Sequence, residues 1–221
     1  MSRLRIACLL VLLALVSSAA VFSQESETKT NYKTALPTAP APPADLAALV
    51  AKQFGPDFQI VTESPLTRIS GAMLLDRTPP PWKLLFTGDL DGDGVEDAII
   101  VASNKNAMIG AAAYHYKVFD AYNDHFGYGN PAVTATFNAN DPLHNMLLLV
   151  IHGSGPEGWR AATPKAKYVL INIPFEQVSL SRSLFKKKTV DAIRVEESDT
   201  VSSVLFFDGK KYRYVPGGGT N

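Results

Sequence analysis

Between Phe86 and Ala102 the chain reads strand, acidic loop, strand, and the loop places Asp89, Asp91, Asp93 and Asp97 at i, i+2, i+4 and i+8. No other stretch restricts the fold so tightly, because carboxylates this close together repel. At ~5 Å and an effective dielectric near ~20 each pair costs about 3 kcal/mol, falling to about 1 kcal/mol in open water. A doubly charged cation removes that cost. Calcium is a hard ion that accepts carboxylates, backbone carbonyls and water in a flexible oxygen shell. A backbone curled round it can present Asp89, Asp91 and Asp93 to one centre. Gly94 then supplies a sharp turn that favours a residue without Cβ. The carbonyl of Val95 can face the ion, Asp97 closes the shell, Gly92 gives slack, and Leu90 points into the core. A metal-free Asp-Gly hairpin is the plain alternative, since both residues are ordinary in turns. The ligand spacing favours the cation.

Two well-known calcium loops are excluded by position. An EF-hand needs Glu at the twelfth place counted from Asp89, and that place holds Ile100. Ala98-Ile99-Ile100-Val101-Ala102 reads as a strand where an exiting helix would be required. Dockerin-type loops fail in the same way. What remains is Asp-x-Asp-x-Asp-Gly-x-x-Asp over Asp89–Asp97, running directly into a strand and opening as Gly88-Asp89-Leu90-Asp91-Gly92-Asp93-Gly94. This stretch resembles the calcium loop of FG-GAP and VCBS repeats, the blades of integrin-like β-propellers. The resemblance implies calcium (Ca2+) held by Asp89, Asp91, Asp93, Asp97 and the Val95 carbonyl. The motif occurs once in this sequence, whereas a propeller repeats it or its blade.

The start of the chain bears on where such an ion would be met. Arg3 and Arg5 precede an apolar run from Ile6 to Val16, followed by small residues. That is the order of a secretory signal peptide over residues 1–23, with cleavage after Ala20 or Ser23. The run is too short to span a bilayer as a mature helix, so no stable membrane insertion is expected after cleavage. Cys8, the only cysteine, precedes most of the run, which does not suit lipidation. A mature chain without cysteine has no disulfides, no thiol catalysis and no cysteine metal site. Calcium, plentiful outside the cytoplasm, can take the place of a disulfide staple. The 221 residues carry zero formal charge, and removing the leader leaves 19 basic against 21 acidic residues. Nothing in that balance calls for nucleic acid or an anionic membrane.

Residues 24–43 are polar and then rich in Pro and Ala, and read as a flexible tether. A short helix follows, capped by Asp45, with Leu46, Leu49, Val50 and Phe54 on one face and Gly55-Pro56 at its end. Beyond it the signals are those of strands. They are expected at Phe58–Thr62, Trp82–Thr87, Ala98–Ser103, Tyr114–Phe119, Ala132–Phe137, Asn145–His152, Lys167–Ile173, Val190–Glu196, Ser203–Phe207 and Lys211–Val215. Asp208-Gly209 between the last two marks a hairpin. That closing hairpin also resembles, with low specificity, those of small exported bacterial proteins carrying one such calcium loop. The expectation is a mainly β (α+β) domain over residues 44–216, an antiparallel sheet system with one N-terminal helix packed on it. A fragment-like or few-bladed propeller is the alternative, and residues 217–221 form a Gly-rich tail.

The other unusual stretch, Asn104 to Pro131, gathers aromatics among Asn and Asp. Tyr114, Tyr116, Tyr122 and His125 can form a platform for a glycan or cell-envelope polymer, through stacking rings and hydrogen-bonding edges. A strand and wide loop whose rings pack down on the sheet is the competing reading, and the favoured one. Catalytic signals are weak. Leu147 to Gly155 has the look of a hydrolase strand and oxyanion loop, but no Gly-x-Ser-x-Gly elbow follows. The four histidines lack zinc-protease spacing. Asp120, Asp124, Glu157 and Glu176 are available for a glycosidase pair, and nothing selects two of them. Lys186-Lys187-Lys188 reads as a solvated turn. A non-enzymatic, exported, calcium-binding domain of structural or binding role is expected, ahead of a glycan binder and well ahead of a hydrolase.

Overall fold

Eleven residues from Ala44 to Phe54 form α1, and its apolar stripe dictates where it lies. Leu46, Val50 and Phe54 are buried, with Leu49 partly so, and they pack on one face of a sheet. In this computed structural model the described residues are 40–64, 81–126, 145–173, 175–185, 187–198 and 200–217. They fall within Leu36–Asn221, which packs as one unit. The leader, most of the tether, nearly all of the tail and the strand expected at 132–137 lie outside the described residues. Asp45 does not cap α1. The cap position is Pro43, which makes no side-chain bond, and Asp45 sits in the first turn, where a carboxylate favours the helix dipole. Gly55, at φ +108°, ends the helix as expected.

The strands in chain order are β1 (Gln59–Ile60), β2 (Leu85–Gly88), β3 (Asp97–Ser103), β4 (Lys117–Asp120), β5 (Met146–His152), β6 (Ala166–Ile171), β7 (Gln177–Phe185), β8 (Lys188–Ser198), β9 (Val201–Phe207) and β10 (Tyr212–Val215). Two short helices, α2 (Ala111–Tyr114) and α3 (Ala121–Phe126), flank β4. Six strands form the first sheet. β1 and β2 share one side of β3, and β5, β6 and β4 follow on the other. Its pairings are antiparallel except β4 with β6, which is parallel. The second sheet is an antiparallel meander in the order β10-β9-β8-β7.

Sequence explains the layering. β3 and β5 are apolar nearly throughout and almost wholly buried, the pattern of strands covered on both faces. Ile99, Val101, Leu148, Val150 and Leu170 meet Ile193, Val195, Leu205 and Tyr212 of the second sheet. Their neighbours Ala98, Ile100, Leu147, Leu149 and Val169 face α1. The molecule is therefore mainly β, helix on sheet on sheet, and among the described residues neither sheet closes into a barrel. A four-stranded meander is what a propeller blade is made of, yet it occurs once among the described residues and packs face to face on a mixed sheet.

Three expectations are corrected. The strand predicted from Tyr114 begins at Lys117, because Ala111-Ala112-Ala113 form a helical turn ending at Tyr114 and His115 adopts φ +56°. Alanine is the best helix former, and here it prevails over the aromatic alternation. α3 stands where a wide loop was expected. β7 was not anticipated. Its core-facing side alternates with Ser179, Ser181 and Ser183, and Arg182 and Leu184 reach solvent. Of the lysine stretch after it, Lys187 takes the turn, at φ +68°, and Lys188 already begins β8, ahead of the strand start expected at Val190.

Candidate metal centre

β2 delivers the chain to the loop at Gly88, where an added Cβ would lie 2.6 Å from Asp191 Oδ2. That bare position lets β8 approach. The amide of Asp89 donates to Asp191 Oδ2 at 2.9 Å, and the amide of Asp191 donates to the Asp89 carbonyl at 2.8 Å. The loop is thereby fastened to the second sheet as well as to its own.

Beyond Asp89 the chain curls inward on its own amides. Asp89 accepts from the amides of Asp93 at 3.1 Å and Gly94 at 3.0 Å, one on each oxygen. Asp91 Oδ1 accepts from Asp93 at 3.2 Å, and Asp93 Oδ1 from Val95 at 2.9 Å. Gly92 and Gly94 take φ of +71° and +83°, the left-handed region that glycine enters without strain. Leu90 is buried in the core and anchors the curl, as its position in the sequence implied. Asp89, Asp91 and Asp93 each bring an oxygen to within 4.8 Å of the others.

Asp97 behaves differently. It is 1% exposed, and its two oxygens accept from the amides of Leu90 at 2.8 Å and Gly153 at 2.7 Å. Burial pushes its carboxyl up to about 7 against the pull of those two amides. It groups with Asp91 and His152, again within 4.8 Å, so that Asp91 belongs to both clusters. Val95 contributes its amide to the loop's bonding, and its neighbour Glu96 accepts from Trp159 Nε1 at 3.0 Å.

His152 and Lys165 were not singled out from sequence. His152 ends β5, is 1% exposed, and lies with Nδ1 3.2 Å from Asp91 Oδ2 and Nε2 2.8 Å from the Tyr212 hydroxyl. A neutral ring with its proton on Nδ1 satisfies both partners if Tyr212 donates, and burial lowers the imidazole pKa in keeping with that form. Tyr168 and Phe207 enclose it. Lys165 reaches in from the β5–β6 connection, its Nζ 2.7 Å from Asp91 Oδ2 and 2.6 Å from Asp93 Oδ2. Those two carboxylates hold its ammonium well above the ordinary lysine range. A polar His closing an apolar run was a usable signal. Lys165 gave none, since 72 residues separate it from Asp93.

Asp89, Asp91 and Asp93 offer hard carboxylate oxygens, and the second cluster adds the His152 imidazole, so acidic groups here could hold a metal ion. No family model, curated protein or solved structure matches the chain.

The aromatic candidates do not form one surface. Tyr116 is buried against Phe54 and Phe58, with its hydroxyl donating to the Ile109 carbonyl at 2.6 Å. Tyr114 packs beside Gly55 on the α1 side. Tyr122 and His125 are exposed on α3, and the His125 ring meets Tyr214 of the second sheet edge-on. None of the four lines the cleft of about 390 Å3 at the far end of β3, which Asp57, Gln59 and Asn104 help to form. Ser154 donates to the Thr163 carbonyl and makes no bond to His152, so the hydrolase-like stretch holds no Ser-His pair. Among the described residues no helix is long and apolar enough to cross a membrane.

Proposed function

We propose that this is an exported, non-enzymatic domain whose aspartate loop binds one calcium ion, in a structural or binding role. One observation carries the reading: Asp89, Asp91 and Asp93 each bring a carboxylate oxygen to within 4.8 Å of the others. The spacing of the acids, the left-handed glycines and the likeness to the FG-GAP and VCBS loop support it. The loop likeness would add Asp97 and the Val95 carbonyl to the ligand set; Asp97 stands apart from Asp89 and Asp93, grouped with Asp91 and His152 and with an amide on each oxygen. Arg3, Arg5 and the apolar run after them support export, and the N-terminal sequence of the mature protein checks it.

Extracellular calcium modules bind at about 0.1–1 mM. At ten times the dissociation constant the ion adds about 1.4 kcal/mol, or roughly 3–5 °C in melting temperature for a domain of this size. Calcium should raise the melt by that amount, EDTA should reverse it, and Asp91→Ala should abolish it. Trp159, hydrogen-bonded to Glu96 inside the loop, supplies a fluorescence signal for the same titration. Identical melts in calcium and in EDTA would remove the proposal.

A further inference from the structure

We infer that Lys165 is a built-in counter-cation of the aspartate loop, and that a divalent ion binds only by expelling it. The inference rests on the calcium reading of the loop and concerns how that site is regulated. Asp91 is the pivot. Its side chain is 4% exposed, so its charge cannot be left to solvent. Oδ2 already meets two groups, His152 Nδ1 and Lys165 Nζ, while Oδ1 takes the Asp93 amide. Lys165 also holds Asp93 Oδ2, a second oxygen that the ion would need.

An ammonium and a divalent ion bonded to the same two oxygens would sit within ~5 Å of each other and repel. One of them has to leave. His152 cannot yield the space, because it is fully buried and bridged to Tyr212 on the opposite ring nitrogen. The Asp93 amide belongs to the curl itself. Lys165 alone has a way out. Its side chain is 49% exposed, and a four-carbon stem lets the head swing into water while the backbone stays tied to the His152 carbonyl at 3.0 Å. The exchange sets a threshold. A monovalent ion gains too little to displace a charge equal to its own, whereas a doubly charged ion does.

The test compares wild type with Lys165→Met in calcium titration calorimetry and in melts with EDTA; Lys165→Gln replaces the methionine variant if that does not fold. Calcium should bind the variant about tenfold more tightly, and the variant should melt lower than wild type in EDTA. Binding by the variant alone would also support the inference, as the limit in which the lysine prevails. Equal or weaker binding by the variant, with wild type binding normally, would overturn it while leaving the calcium site intact. Binding by neither protein would remove the calcium reading and the exchange with it.

Discussion

Gly153 shows how closely the loop is built on its surroundings. A Cβ there would lie 2.3 Å from the Glu96 carbonyl oxygen and 2.7 Å from the carbonyl carbon of Gly158. Both neighbours are backbone, so nothing can step aside cheaply. Gly153→Ala should lose about 1–3 kcal/mol or more, read from the midpoint of a urea melt; an unchanged midpoint would mean the contact relaxes. The same amide feeds Asp97 Oδ1, which ties the end of β5 to the start of β3. The nearness of Asp89, Asp91 and Asp93 follows from their spacing within one short loop. Sequence did not foretell that Asp97 would be consumed by two amides, nor that Lys165 and His152 would close on Asp91. Those groups arrive from other strands, and no local pattern encodes such a meeting.

At the level of elements, apolar runs were the dependable guide. β3, β5 and β6 are marked by runs rich in Val, Ile and Leu, and α1 by its stripe. β7 carries no apolar run, because three serines alternate along it, and β4 starts late because three alanines prefer a helical turn. The β9–β10 hairpin was legible from Asp208-Gly209, and its chemistry yields a pH prediction. Asp208 accepts from the amides of Lys211 and Lys210 and from Arg213 Nε. The Lys211 amide chiefly, with Arg213 beside it and burial opposing, holds its carboxyl down at about 2 against an ordinary 3.8. A depressed carboxylate stabilises the folded state above the unfolded pKa and ceases to do so as pH falls through the folded one. Asp208→Asn should therefore melt below wild type at about pH 6, and the gap should close toward about pH 2. A gap independent of pH would show that charge is not what the turn uses.

Taken whole, the molecule couples its parts through the loop. Asp89 bonds to Asp191 in both directions across the two sheets, and Tyr212 of the second sheet reaches His152 of the first. Calcium bound at one end should consequently stabilise both sheets together. Far-ultraviolet circular dichroism and Trp159 fluorescence are expected to give one coincident transition that moves as a unit with calcium; separate transitions would show that the sheets melt independently. The central strands carry another implication. Leu147 to Ile151 contains no charge, proline or glycine and is covered on both sides only once α1 and the second sheet are in place. Until then it is a bare, sticky ribbon of the kind that stacks with copies of itself. A chain that has not yet folded must keep that ribbon apart from its neighbours, so the speed with which its two covers close decides how much of it escapes stacking.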